Sequence, residues 1–159
     1  MNEKHEVARG RIPLWFSRHI ALGLLVCVFL LGGCRTESPE QRLRAQLREM
    51  QTAIEKRHPA DFMNGVTEDF IGNSGMNRAG LQQLVRMQLL ANTSVGVTLG
   101  PAEVQLHDDT RATVRFTVLL TGGNSGLLPE RAQSYALTSG WRIEGGQWKV
   151  YSAQWNPRL

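Results

Sequence analysis

The stretch Arg111-Ala112-Thr113-Val114-Arg115-Phe116-Thr117-Val118-Leu119-Leu120-Thr121 alternates between two kinds of side chain. Ala112, Val114, Phe116, Val118 and Leu120 fall on one parity, whereas Arg111, Thr113, Arg115, Thr117 and Thr121 fall on the other. Successive side chains of a strand point to opposite faces, so this is a half-buried antiparallel strand with one face on a core and one in solvent. Asp108-Asp109-Thr110 turns the chain into it, and Gly122-Gly123-Asn124-Ser125-Gly126 breaks it.

The period of two extends in both directions. Upstream, Val95, Val97 and Leu99 alternate, as do Val104 and Leu106; downstream, Tyr135, Leu137, Ser139, Trp141 and Ile143 form the next set. Glu144-Gly145-Gly146-Gln147 closes a hairpin onto a last strand from Trp148 to Trp155. Before Ser94 the period is that of a helix. Ser38-Pro39-Glu40-Gln41 reads as an N-cap serine, a proline at the first helical position and a glutamine placed for a capping box. Leu43, Leu47, Met50 and Ile54 then form an apolar stripe, and Arg42, Arg44, Arg48, Glu49, Glu55 and Lys56 take the solvent side. A second, short helix is expected at His58-Pro59-Ala60-Asp61-Phe62-Met63, followed by a turn into extended chain at Thr67-Glu68-Asp69-Phe70-Ile71. A loop runs through Gly72 to Asn77, and a third helix from Arg78 to Leu90 is capped by Asn77. Helices segregated from strands predict an α+β domain over residues 38–159: three N-terminal helices on a curved antiparallel sheet of four to five strands.

These elements resemble the nuclear transport factor 2-like superfamily, which includes the ketosteroid isomerase-like and polyketide cyclase-like proteins. The carriers are the helix Gln41 to Lys56, Ala60-Asp61-Phe62 leading to Glu68-Asp69-Phe70, the helix near Leu81-Gln82-Gln83-Leu84, the strand Ala112 to Phe116, and Gly140 to Val150. The resemblance implies a cone-shaped fold that wraps a curved sheet around the first helix. In the isomerases the cone is an apolar site with an aspartate base and an oxyanion hole made by a tyrosine and a protonated aspartic acid. The family places that tyrosine on the first helix. Here the inward positions of that helix are Leu43, Leu47, Met50 and Ile54, and it holds no tyrosine, histidine or cysteine. Asp69 is the one weak candidate for a base at the cone mouth, but beside Glu68 at a helix-to-strand turn it reads rather as a cap or a solvated group; Asp108 and Asp109 fall in a solvated turn, and the parity of His107 turns it away from the core. Tyr135 and Trp141, with Ser139 and Gln154 as weaker polar companions, are the candidate ligand contacts, and Trp148 or Trp155 could join them; aromatic residues of half-buried strands are more often core. The Gly122 to Arg131 loop, with Leu127-Leu128-Pro129-Glu130, would form a lip. The outward row Arg111, Thr113, Arg115 and Thr117 is either a solvated face or, as the resemblance allows, the surface of a homodimer.

The first 33 residues carry an address. Lys4, Arg9, Arg11 and Arg18 precede the apolar run Ile20 to Leu31, and Gly32-Gly33 leave little bulk before Cys34. That order of charge, apolar run and small residues is a secretory signal, and the run is shorter than the roughly 20 residues that a spanning helix needs. Leu31-Gly32-Gly33-Cys34 resembles the bacterial lipobox. By that resemblance residues 1–33 are removed, Cys34 carries a thioether-linked diacylglycerol and an acylated amino terminus, and 34–37 are a short polar tether to the membrane. The residue after the cysteine is Arg35 rather than aspartate, which points to the outer membrane in preference to the inner one.

Without residues 1–33, lysine plus arginine falls from 18 to 14 and aspartate plus glutamate from 14 to 12, leaving a net charge of +2. No basic run survives, so nucleic acid is not an expected partner. Cys27 leaves with the signal and Cys34 is acylated, which removes any disulfide; with His58 and His107 the last histidines, no metal or other cofactor is expected. Three functions fit these letters: an envelope lipoprotein that binds a small apolar ligand or a protein partner without catalysis, an isomerase, cyclase or dehydratase using the cone, and an assembly accessory of an envelope complex. The first leads, because no catalytic set is present.

Overall fold

A computed structural model describes residues 37–124 and 131–158. Cys34, the apolar run before it and Leu127-Leu128-Pro129-Glu130 lie outside the described residues.

Helix α1, Pro39–Glu55, begins with the expected capping box. Gln41 N–H donates to Ser38 Oγ at 3.2 Å, and Ser38 N–H donates to Gln41 Oε1 at 3.0 Å. Its buried side chains are Leu43, Met50 and Ala53; Leu47 packs at the margin of the core, and Ile54 is half-buried. Arg57, at a left-handed φ of 61°, then turns the chain back. Its guanidinium donates to the carbonyls of Leu89, Asn92 (2.6 Å) and Thr93 (3.2 Å). Those carbonyls end another helix, and a cation suits that end of a helix dipole. Helix α2 is Pro59–Asn64, and α3 is Arg78–Ala91, capped by Asn77 Oδ1, which accepts from Gly80 N–H at 2.9 Å.

The sheet holds β1 Val66–Ile71, β2 Ser94–Leu99, β3 Glu103–Asp108, β4 Arg111–Gly123, β5 Arg131–Glu144 and β6 Gln147–Arg158. Its order is β1-β6-β5-β4-β2, with β3 also on β4. The α+β cone is as expected, but the sheet has six strands and is mixed. β1 lies between α2 and α3 and runs parallel to β6. Thr67 to Ile71 read as a turn because β1 does not alternate: Val66, Thr67 and Phe70 are buried, Glu68, Asp69 and Ile71 are not, and its register shifts between Val66 and Ile71.

A bulge sets the parity of the last strand. Gly140 pairs with Ser152 but Trp141 with Val150, which leaves Tyr151 as an extra residue. Trp148 and Val150 therefore face the core before the bulge, and Ala153 and Trp155 face it afterwards. Gly140 makes room for this. A Cβ there would lie 2.6 Å from Ser152 Oγ and 2.7 Å from Tyr151 Cζ. We expect Gly140→Val to destabilise the fold by about 1–3 kcal/mol through overpacking, read as a lower urea midpoint with an unchanged slope.

Candidate functional site

The concave face is built by rows of side chains that cross β4, β5 and β6. At one end Ala112, Trp141 and Val150 form a row, and the next holds Val114, Ser139 and Ala153. All six are buried, and Leu43 of α1 packs into the same cluster with no exposed surface. One row further on, Phe116, Leu137 and Trp155 are only half-buried. Val118, still buried at 7% exposure, and half-buried Tyr135 follow, then Leu120 at 38% exposure opposite exposed Gln133. The concave face is thus sealed at one end and loses cover toward the other.

Helix α1 measures the distance between the two ends. At the sealed end Trp148 Nε1–H donates to Pro39 O at 3.0 Å, and Arg44 Nη1 donates to Ala102 O at 3.0 Å. Toward the open end Gln51 Nε2 donates to Val97 O at 2.7 Å, and Val97 pairs with Leu120. Seventeen helical residues at 1.5 Å each span about 25 Å.

Trp155 is fixed by the expected loop of Gly72 to Asn77. Asn73 Nδ2 donates to Trp155 O at 2.7 Å and Trp155 N–H donates to Asn73 Oδ1 at 3.0 Å, so this amide continues the ladder of β6. Gly72 lies under the indole, where a Cβ would come within 3.0 Å of the ring.

The expected ligand contacts divide. Trp141 and Ser139 sit in the sealed half: Trp141 Nε1–H donates to Ser139 Oγ at 2.8 Å, and Ser139 Oγ–H donates to Val114 O at 3.3 Å. Their polar groups are used inside the core, and Trp141 is 2% exposed. Tyr135 does lie in the open half, half-buried, with its hydroxyl donating to Gln133 Oε1 at 2.8 Å. Gln154 is opposite Thr138, both exposed, on the outer face. The bulge at Tyr151 puts it there, because the inward parity set by Trp148 and Val150 is shifted by one residue. Phe116, Leu137 and Leu120 take its place beside Tyr135. Their signal was the alternation itself, which marks an inward residue without telling whether it is covered.

Asp69 is not at the cone mouth. It is exposed and forms a bidentate pair with Arg142, Nη1 to Oδ2 at 2.9 Å and Nη2 to Oδ1 at 2.8 Å. Arg142 also reaches Glu144 at 3.2 Å and lies 5.7 Å from the centre of the Tyr151 ring. The Arg142 hydrogen bonds hold the Asp69 carboxyl at a pKa of about 2. A carboxylate so held is a poor proton acceptor at neutral pH, and both of its oxygens are occupied. Asp108 is likewise held below the usual range, chiefly by the Thr110 hydroxyl, in the expected turn. His107 is exposed, with Nε2 2.8 Å from Thr113 Oγ1.

An open hollow of about 240 Å³ lies at the start of α3, lined by Glu68, Asn77, Arg78, Ala79 and Gln82. Arg78 there is tied to Met63 O at 3.1 Å and lies 3.5 Å from Glu68. Among the described residues no group of three or more His, Cys, Asp or Glu side chains could hold a metal, and no helix is long and apolar enough to cross a membrane.

The architecture is the nuclear transport factor 2-like cone, and solved structures share it. A protein from Novosphingobium aromaticivorans provisionally assigned as a scytalone dehydratase superposes with a TM-score of 0.66 at 14% identity, over 76% of this chain and 84% of its own. A nuclear transport factor 2-like protein of unknown function from Pseudomonas putida gives 0.62 at 15% identity, over 74% and 84%. LinA gives 0.61 at 14%, over 76% and 89%. Such identities carry the fold and leave the site to be argued from this chain. No family profile matches the sequence, and no curated protein is similar to it in sequence.

Replacing Arg142 by Gln removes the cation that depresses the Asp69 pKa. The Asp69 carboxyl should then titrate nearer 3.8 than 2, measured by carboxyl carbon NMR. A depressed folded pKa contributes stability above the unfolded pKa and loses it as pH falls through the folded one. Arg142→Gln should therefore flatten the loss of stability between about pH 4 and pH 2.

Proposed function

We propose that this chain is a lipid-anchored protein of the cell envelope whose cone binds a small apolar ligand without transforming it. The observation that carries this reading is the uncovering of the concave face from Phe116, Leu137 and Trp155 to Leu120. Half-covered aliphatic and aromatic side chains around one phenol suit an apolar molecule with a single polar group. Among the described residues, the inward rows of β4, β5 and β6 hold no carboxylate, imidazole or thiol. The Asp69 carboxylate is engaged by Arg142 on the other face.

The anchor rests on Leu31-Gly32-Gly33-Cys34 behind a charged and then apolar leader. With a second acyl chain, at about 0.8 kcal/mol per buried methylene, the attachment is lasting rather than marginal. The Arg35 that follows favours the outer membrane. The outer sheet row Arg111, Thr113, Arg115 and Thr117 supports a homodimer as a further use of the domain.

The ligand reading is tested with the neutral apolar fluorophore N-phenyl-1-naphthylamine. Saturable binding that alters Trp155 emission is expected, and Leu137→Arg should weaken it at least tenfold while circular dichroism is unchanged. Turnover of a steroid or polyketide-like substrate by the purified chain would instead establish the enzyme reading suggested by the dehydratase assignment of a structural neighbour. The anchor is tested separately: the chain should incorporate labelled palmitate and sediment with membranes, and Cys34→Ser should do neither.

A further inference from the structure

The start of α1 and the open end of the cone lie at opposite ends of the domain. Between Cys34 and Pro39, the first residue of α1, there are five Cα steps, which reach at most about 18 Å. The start of α1 is bound to the sealed end through Trp148 Nε1 and Pro39 O. The same end carries the Gly145-Gly146 turn before β6 and Thr110, whose carbonyl accepts from Ile143 N–H at 2.9 Å. The open end is about 25 Å further along α1. There Arg57 holds the end of α3, Thr93 N–H donates to Asn124 Oδ1 at 3.0 Å, and Leu120 is exposed opposite Gln133.

We infer that the sealed end rests at the bilayer and the open apolar end is presented to the aqueous compartment, so that its ligand enters and leaves through water or by way of a soluble carrier and not directly from the hydrocarbon. This rests on the lipid anchor proposed for Cys34. With the open end pressed into the membrane, the start of α1 would stand about 25 Å above it, beyond the tether's reach. The open end also exposes apolar side chains, which suit contact with an apolar ligand or partner. Leu90 is 85% exposed and Met87 53% on the last turns of α3, and Leu119 joins Leu120 at the far part of β4. The sealed end offers mixed charge, with Glu40, Arg42, Asp108, Arg111, Glu144 and Lys149 around it. That mixture makes contact with headgroups but no apolar insertion.

The test uses the absence of any cysteine after Cys34. Gln147→Cys at the sealed end and Leu90→Cys and Gln133→Cys at the open end each give one free thiol in the full lipidated chain. Each is labelled with a donor dye and reconstituted into phosphatidylethanolamine and phosphatidylglycerol vesicles that carry an acceptor on the headgroup. Energy transfer is expected to be strong from position 147 and several-fold weaker from both 90 and 133. Equal or stronger transfer from both 90 and 133 in a chain that floats with the vesicles overturns the orientation and leaves the anchor standing. Strong transfer from 90 alone also overturns it, since α3 then lies on the bilayer beside the opening. A wild-type chain that does not float with vesicles overturns the anchor and the orientation with it.

Discussion

Strand β4 is paired along almost its whole length with β5 on one edge, and on the other edge it is divided between β3 over its first part and β2 over its last. The two edge partners thus meet β4 on different parts of its length. β3 ends its pairing at Arg115, and β2 meets β4 from Val118 onward. One strand therefore passes from one partner to another while its inward parity continues unbroken from Ala112 to Val118. The rows of the concave face are consequences of that single register. The same register puts Trp141 and Ser139 deep in the core and Tyr135 toward the opening.

How much of this could be read from the letters depended on whether the determining interaction was local. The capping box at Ser38 and Gln41, the Asn77 cap and the alternation of β4 each lie within a few residues of chain, and each was legible. β1 was not, because a six-residue strand with a register shift has no period to show. The Asp69 and Arg142 pair joins residues 73 apart, and nothing near Asp69 announces the guanidinium that occupies it. Gln154 shows a third kind of failure. Trp148 and Trp155 have opposite parity within one strand, so both can face a core only across a bulge; their odd spacing held that information. The glycine that admits the bulge is Gly140, on the neighbouring strand.

The two faces of the sheet have divided the chemistry between them. Charge, and with it every strongly perturbed carboxylate among the described residues, is on the outside, where Arg142 meets Asp69, Glu144 and Tyr151. The inside is aliphatic and aromatic; of the two buried hydroxyls among the described residues, Ser139 is satisfied by Trp141 and Val114, whereas Thr67 Oγ1 has no partner. A carboxylate becomes a useful base when burial raises its pKa. The salt bridge of Asp69 does the reverse and leaves Asp69 an ion-pair partner, not a proton acceptor.

The open half has few fully buried side chains, and polar contacts to backbone hold much of it. Arg57 binds the carbonyls that end α3, Asn73 binds both backbone groups of Trp155, and Asn124 binds Thr93. Such contacts fix where the chain runs without filling the space between the elements. The sealed half is the converse, with Leu43, Val114 and Trp141 close-packed and nothing left to move. The half with fewer fully buried contacts is the one expected to open first, while the packed end remains folded. The same asymmetry runs along α1, whose first turns lie in the close-packed half and whose last turns, with Arg57, lie in the other.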